Sequence, residues 1–286
     1  MEIQWYPGHM AKTLRIIKEH LKLVEIVVEM LDARIPLSSS NPELGKMIPP
    51  GKRLIAMNKA DLADPEKTKV WIEHYRRLGL SSVSLNSIDE RGIDGLLKEI
   101  RVMGDAQRQK WEARGRIQKT IRVMIVGIPN VGKSSLINRL SRKSSAKTGN
   151  KPGVTKSKQW IKVDKDIMLL DTPGILWPKF EDRETGINLA ITGAIKEEII
   201  DMEEIAVKMI EKILRIDEQR LTGLYGIEKT WEDATDLFKQ IGIKRGCLLA
   251  GGRVDTLRAA RIVLEDYRLG RMGRITLETP ESIGSS

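Results

Sequence analysis

The stretch Gly127-Ile128-Pro129-Asn130-Val131-Gly132-Lys133-Ser134 fits the pattern GxxxxGK[ST], and its flanks decide how it is read. Before it, Ile121-Arg122-Val123-Met124-Ile125-Val126 is a short apolar run rich in β-branched residues. After it, Ser135-Leu136-Ile137-Asn138-Arg139-Leu140 carries apolar residues at helical spacing. A strand, a glycine loop and a helix in that order make a phosphate cradle, whereas the bare pattern alone would be only a glycine-rich turn. Gly127 and Gly132 let the backbone curl so that successive N–H groups, through Asn130, Val131 and Ser135, converge at a helix N-terminus. Lys133 then reaches the β- and γ-phosphates of a nucleotide, and the Ser134 hydroxyl is placed to ligate Mg²⁺.

Two more apolar runs lie upstream. Residues 26–31 read as a buried strand ending in Asp32-Ala33-Arg34-Ile35-Pro36, and Ser38-Ser39-Ser40-Asn41-Pro42 reads as a loop. Arg53-Leu54-Ile55-Ala56-Met57 is a strand with Asn58-Lys59-Ala60-Asp61 at its carboxyl end, where ligands lie in open α/β sheets. This tetrad suits guanine. Asp61 can accept from both N1–H and the N2 amine, Asn58 can serve O6 or N7 and brace the phosphate loop, and the Lys59 stem can lie over the ring. Adenine offers neither donor, and each hydrogen bond to a charged group is worth about 1.5–3 kcal/mol. Read alone, the tetrad could be a helix cap beginning at Asp61 or Asp64; the phosphate loop elsewhere in the chain favours the nucleotide.

A helix is predicted over 65–78 with Asp64 as N-cap and Pro65 at its first position, and His74 inside it reads as structural. A strand over 82–85 ends at Asn86-Ser87, a loose match to the loop whose backbone N–H meets guanine O6. Gly92 then opens a helix to 103, and 107–119 reads as a basic linker. Beyond the phosphate loop, 142–158 reads as a mobile lysine- and glycine-rich loop. It contains Pro152-Gly153-Val154-Thr155, whose threonine is a candidate Mg²⁺ ligand and γ-phosphate sensor. Strands over 159–163 and 167–170 follow, the second ending in Asp171-Thr172-Pro173-Gly174. In this DxxG pattern Asp171 would hold Mg²⁺ through water and the Gly174 N–H would meet the γ-phosphate.

Composition narrows the class. The 286 residues carry 49 Lys+Arg against 39 Asp+Glu, a net +10 that points to a polyanionic partner, nucleic acid first. The single cysteine, Cys247, leaves no disulfide framework and no cysteine zinc site. Apolar runs are too short to span a membrane, and MEIQWYPGHMAK lacks a signal-peptide core, so a cytoplasmic protein is expected, monomeric when free.

The motif set is that of a GTPase, but its order is rotated: NKAD and Asn86-Ser87 precede the phosphate loop, and Thr155 and DTPG follow it. This is a circular permutation of one sheet, permissible because each unit is a strand with its own loop and domain termini lie close together. The chain resembles the circularly permuted bacterial GTPases of the RbgA/YlqF type. The resemblance rests on WYPGHM, DARIP, NKAD, GIPNVGKSS, PGVT, DTPG and the terminal KRG, GGRVDTLRAAR and GRMGRITLE, and covers nearly the whole length. It implies a GTP hydrolase that assists late assembly of the large ribosomal subunit and binds rRNA. Rival readings are a GTPase of another RNA process, such as tRNA modification, and a GTP-gated binding module with little hydrolysis.

Where Ras-like enzymes place a water-orienting glutamine after DxxG, this chain has Ile175. Two residues are candidates to compensate. Asn130 is similar to the asparagine through which some GTPases bind K⁺ beside the phosphates, its alternative being a simple turn-former. His9 occupies the position of the family's proposed catalytic histidine, its alternative being a structural one. From about residue 180 onward the pattern is helical, over 202–214, 231–241 and 253–267, with Gly226-Ile227 as a turn. In the last part Lys244, Arg245, Arg253, Arg258, Arg261, Arg268, Arg271 and Arg274 form a basic series that reads as an RNA-phosphate surface recognising shape and backbone, or in part as solvated helix faces. The expected architecture is an α/β P-loop GTPase sheet in permuted order over 1–178, followed by a smaller all-α domain over 179–286.

Overall fold

The computed structural model describes residues 15, 17–112, 115, 120–148, 160–170 and 182–282, with backbone alone at 110, 111, 143–148 and 282. Six strands form one sheet in the order β3-β2-β1-β4-β6-β5. They are β1 (Ile26–Asp32), β2 (Arg53–Asn58), β3 (Ser81–Ser84), β4 (Ile121–Gly127), β5 (Trp160–Lys162) and β6 (Ile167–Leu170). Only β5 runs antiparallel. All seven residues of β1 are buried, as expected of a central parallel strand covered on both faces, and the run is apolar but for Glu29 and Asp32. Chain order runs outward from β1 through β2 to β3 on one side, while on the other β6 lies beside β4 and β5, which precedes it in the chain, forms the edge. The reversal falls between β1 and β4, which places a ligand crevice at their carboxyl ends.

The helices of this half are α1 (Pro36–Ser39), α2 (Pro42–Met47), α3 (Pro65–Arg77), α4 (Ile93–Glu112) and α5 (Lys133–Thr148). Asp64 caps α3 as expected, accepting from the Glu66 and Lys67 N–H groups, and His74 packs edge-on against Trp71 and Tyr75. Three expectations need correcting. The loop around Ser38 is largely helical, because Pro36 and Pro42 each open a short helix and Asn41 caps the second through the Glu43 N–H. The linker over 107–119 is helical to Glu112, and the loop over 142–158 is helical to Thr148. Both stretches lack apolar periodicity, yet no glycine or proline interrupts 107–112 or 142–148, where the helices continue. Ahead of β1, residues 15 and 17–20 are helical and 21–23 form a turn.

The C-terminal part holds α6 (Arg183–Ile191), α7 (Met202–Ile216), α8 (Gln219–Tyr225), α9 (Ala234–Lys244) and α10 (Thr256–Arg268). Asp182, Asp201, Asp233 and Asp255 supply side-chain caps to α6, α7, α9 and α10, each such cap being worth about 1 kcal/mol. The stripe Ile205, Met209 and Ile213 is buried on α7, which packs against α10 and α9. Each such apolar side chain contributes about 1.5–3 kcal/mol on burial. Gly226 ends α8 in the left-handed conformation, as a turn. Among the described residues of this part, a single bridge between Leu248 and Val254 is the one strand-like feature.

The two parts share one continuous apolar cluster that runs from Ile26, Ile125 and Leu136 to Ile210, Leu237 and Leu264. The boundary expected at 178/179 lies outside the described residues. After α10 the chain returns to the sheet half. Buried Glu278 accepts from the Leu37 and Ser38 N–H groups and from the Ser38 hydroxyl and the Asn188 amide, while its carbonyl accepts from the Trp71 indole. Burial raises the Glu278 carboxyl above the usual range despite these donors. Among the described residues no helix is long and apolar enough to cross a membrane.

Candidate nucleotide site

The phosphate loop leaves the carboxyl end of β4 and enters α5. Its curl is visible in φ of +57° at Asn130 and +103° at Gly132. At Gly132 this is also a matter of space: an added Cβ would collide with the Asn58 side-chain amide and press on the Ser87 hydroxyl. Glycine therefore lets the loop pack directly against the Asn58 side chain, a close approach that no larger residue allows. Ser134 and Ser135 are exposed in the first turn of α5, where helix N–H groups have no intrahelical partner. Lys133 is folded over the loop, with Nζ donating to the Gly127 and Ile128 carbonyls at 3.0 and 2.7 Å. Burial lowers its ammonium pKa from 10.5 to about 8, a cost that a phosphate counter-charge would relieve.

Asn130 projects from the exposed crest of the loop, and its amide donates to the Gly193 carbonyl, just past α6, at 2.7 Å. The phosphate loop is thereby tied to the helical part. Its Oδ1, the atom a cation would use, has no partner among the described residues.

Asn58 is the hinge pin of the site. Its buried amide donates to the Val131 carbonyl at 2.7 Å and the Ser87 hydroxyl at 3.1 Å, and accepts from the Ser87 N–H at 2.9 Å. The bracing role expected of Asn58 is present. Both amide protons are engaged within the chain, on the Val131 carbonyl and the Ser87 hydroxyl. The Ser87 N–H is consumed likewise, and Asn86 forms a turn by accepting from the Ile88 N–H at 2.8 Å. Lys59 adopts φ +59°, and Ala60 N–H donates to Leu85 O at 3.2 Å. Asp61 is half-buried and makes no hydrogen bond or ion pair with a described residue, which leaves its carboxylate for a base edge.

The DARIP stretch, to which the sequence assigns no chemical role, proves to be part of the site. Asp32 and Arg34 form a bidentate pair at 2.8 and 3.0 Å, and the Lys59 ammonium closes on Asp32 at 3.0 Å. Burial alone would raise the Asp32 pKa, but the charges and hydrogen bonds of Arg34 and Lys59 outweigh it and hold the carboxyl well below the usual range. The signal that could have found it is an Asp-x-Arg at the carboxyl end of a buried strand.

The basic series divides. Arg268 donates to the Ala190 and Ile191 carbonyls at the end of α6 and pairs with Glu197. Arg245 and Arg271 both pair with the buried Asp266. Arg274 donates to the Ala60 and Ala63 carbonyls. Charge counting takes these four for free surface, whereas each is engaged within the chain. Lys244, Arg253, Arg258 and Arg261 are exposed, and their side chains have no partner among the described residues. His9, Thr155, Asp171 and Gly174 lie outside the described residues.

A mostly parallel sheet with a phosphate loop on one central strand, and a guanine-type tetrad two strands away, defines a P-loop GTPase whose strands are threaded in rotated order. The model of a family described as "50S ribosome-binding GTPase" matches residues 122–234, beginning inside β4 and so leaving NKAD ahead of it. Ribosome biogenesis GTPase A of Bacillus cereus is 46% identical over 99% of this chain and 96% of its own length. That of Bacillus pumilus is 45% identical over 99% and 100%. The solved structure of GNP-bound YlqF from T. maritima superposes with a TM-score of 0.66 at 29% identity, covering 94% of this chain and 99% of that one. The chain belongs to the ribosome biogenesis GTPase A family.

Proposed function

We propose that the chain is a GTP-hydrolysing switch that docks on the precursor of the large ribosomal subunit, assists its late assembly and leaves when GTP is spent. The observation that carries the reading is Asn58, which locks the phosphate loop, the NKAD strand and the Asn86-Ser87 loop into one pocket edge. The loop N–H groups and Lys133 would take the phosphates, and Asp61 the guanine N1–H and N2 amine. Ser134, Thr155 and, through water, Asp171 would hold Mg²⁺, which neutralises developing phosphate charge. Gly174 would sense the γ-phosphate, Asn130 Oδ1 would serve K⁺, and His9 would orient the attacking water once a partner orders its segment. Lys244, Arg253, Arg258 and Arg261 would form the rRNA face. The reading places the chain in the cytoplasm, monomeric when free, with slow turnover that the ribosomal partner stimulates.

The test is steady-state GTP hydrolysis in potassium buffer, with and without purified large subunits. Strong stimulation by large subunits and not by small ones is the expected result. Equal rates in all conditions would remove the assigned partner, and negligible single turnover with large subunits present would reduce the chain to a GTP-gated binding module.

A further inference from the structure

Beyond α10 the chain doubles back onto the guanine side of the sheet, and residues 270–276 close over residues 60–64. Arg274 Nη2 donates to the Ala60 carbonyl and Nε to that of Ala63, both at 2.9 Å. Between them the Ile275 N–H donates to the Leu62 carbonyl at 3.0 Å. Thr276 accepts the Asp64 N–H on its hydroxyl and the Lys67 ammonium on its carbonyl, each at 3.0 Å. Gly270, at φ +74°, sits so near Leu62 that an added Cβ would stand 2.7 Å from Cδ2. The carbonyls of Ala60, Leu62 and Ala63 thus draw their partners from a segment some two hundred residues away. Asp61 lies in the middle of this run with its own carboxylate uncommitted. A second route reaches the same tetrad: the Arg34 guanidinium lies 5.2 Å from the centre of the Tyr267 ring on α10 and holds Asp32, which holds Lys59.

We propose that the segment 274–276, Arg274 above all, is a positioning element for the guanine subsite, fixing the backbone on both sides of Asp61 so that its carboxylate meets two base donors at once. Arg274 touches no nucleotide in this scheme; it acts by holding carbonyls that local turns leave open. Discrimination between guanine and a base lacking the N2 amine is then set partly by the C-terminal helical part. By linkage, a partner that shifts α10 alters nucleotide affinity, and nucleotide alters the hold on that partner by the same factor. The proposal rests on the reading of Asp61 as the guanine acceptor.

Both can be tested together by equilibrium titration of the full chain with GDP and with inosine diphosphate, which keeps N1–H and lacks the amine. The wild-type chain prefers GDP. Arg274→Ala loses about tenfold in GDP affinity and less for inosine diphosphate, so the ratio narrows; Arg274→Lys, which keeps the charge but spans only one carbonyl, falls between. A wild-type ratio in Arg274→Ala, whether affinities are unchanged or fall in parallel, overturns the proposal and leaves Arg274 a structural residue. If circular dichroism shows Arg274→Ala unfolded, Arg274→Lys decides alone: a ratio below wild type supports the proposal, and an equal one overturns it. A wild-type chain that does not prefer GDP, or Asp61→Asn with unaltered preference, overturns the Asp61 reading instead.

Discussion

Replacing Asn58 with alanine removes three hydrogen bonds and leaves two backbone groups stranded: the Val131 carbonyl and the Ser87 N–H. Both residues are buried, at 1% and 4% exposure, so water does not easily replace the missing partners. A buried group left unpaired costs about 1–3 kcal/mol. Two of them, partly relaxed by shifts of the exposed loop, give an expected destabilisation of about 2–4 kcal/mol, a large share of the stability of a typical domain. Ser87→Ala is the internal control: it removes only the hydroxyl interaction, leaves both backbone partners in place, and is expected to cost about 0.5–1.5 kcal/mol. Urea unfolding without nucleotide, followed by circular dichroism, measures the two variants side by side. Asn58→Ala is also expected to release GDP faster, because the phosphate loop and the guanine loop are no longer joined. Asn58→Ala costing no more than Ser87→Ala would refute the bracing argument. So would wild-type stability combined with weakened GDP binding, since Asn58 would then be acting on the base itself.

Asp61→Asn swaps an acceptor for a donor opposite two donors, and losing two charge-assisted hydrogen bonds should weaken GDP binding by about 10²–10⁴-fold; xanthosine diphosphate, which offers an acceptor there, should gain, and direct titration of both ligands checks this. Burial holds Lys133 at about 8, below its ordinary 10.5. Below pH 8 the ammonium is already charged, while between 8 and 10.5 nucleotide binding must bring in a proton, so affinity should decline as pH rises through 8. Calorimetric titration at pH 9 in two buffers of different ionisation enthalpy should show proton uptake that Lys133→Arg abolishes. Alanine at Lys244, Arg253, Arg258 and Arg261 together should weaken rRNA binding and lower its salt slope by about one for each phosphate no longer neutralised. Arg268→Ala should instead lower the melting temperature and leave the slope nearly unchanged, because it frees carbonyls at the end of α6.

The strands and their loops were legible because the information is local. A buried parallel strand writes itself as an apolar run, a phosphate loop needs its glycines in order, and Asp64-Pro65 announces the start of α3. The permuted motif order was legible for the same reason, each motif travelling with its own strand. What the sequence hid is the pairing of distant residues. Nothing around Arg274 marks it as the partner of Ala60, and nothing near Glu278 points to Ser38, because such pairings leave no periodic trace. Charge counting fails at Arg245, Arg268 and Arg271 because an arginine that satisfies carbonyls or a buried aspartate has the same letter as one facing solvent. The spread of α4 and α5 into polar sequence is invisible to apolar spacing, since a helix can continue on propensity alone.

The Asn58 brace spans 73 residues of sequence and the Arg274 hold on Ala60 spans 214. A chain growing from its N-terminus therefore acquires the base-reading strands early, the phosphate loop later, and the hold on residues 60–64 only once residues 274–276 are made. Nucleotide affinity should accordingly mature in steps during synthesis, and a chain cut short before residue 274 would carry every nucleotide motif yet grip guanine poorly. Residues 274–276 thus close a site whose described nucleotide motifs all precede them in the chain.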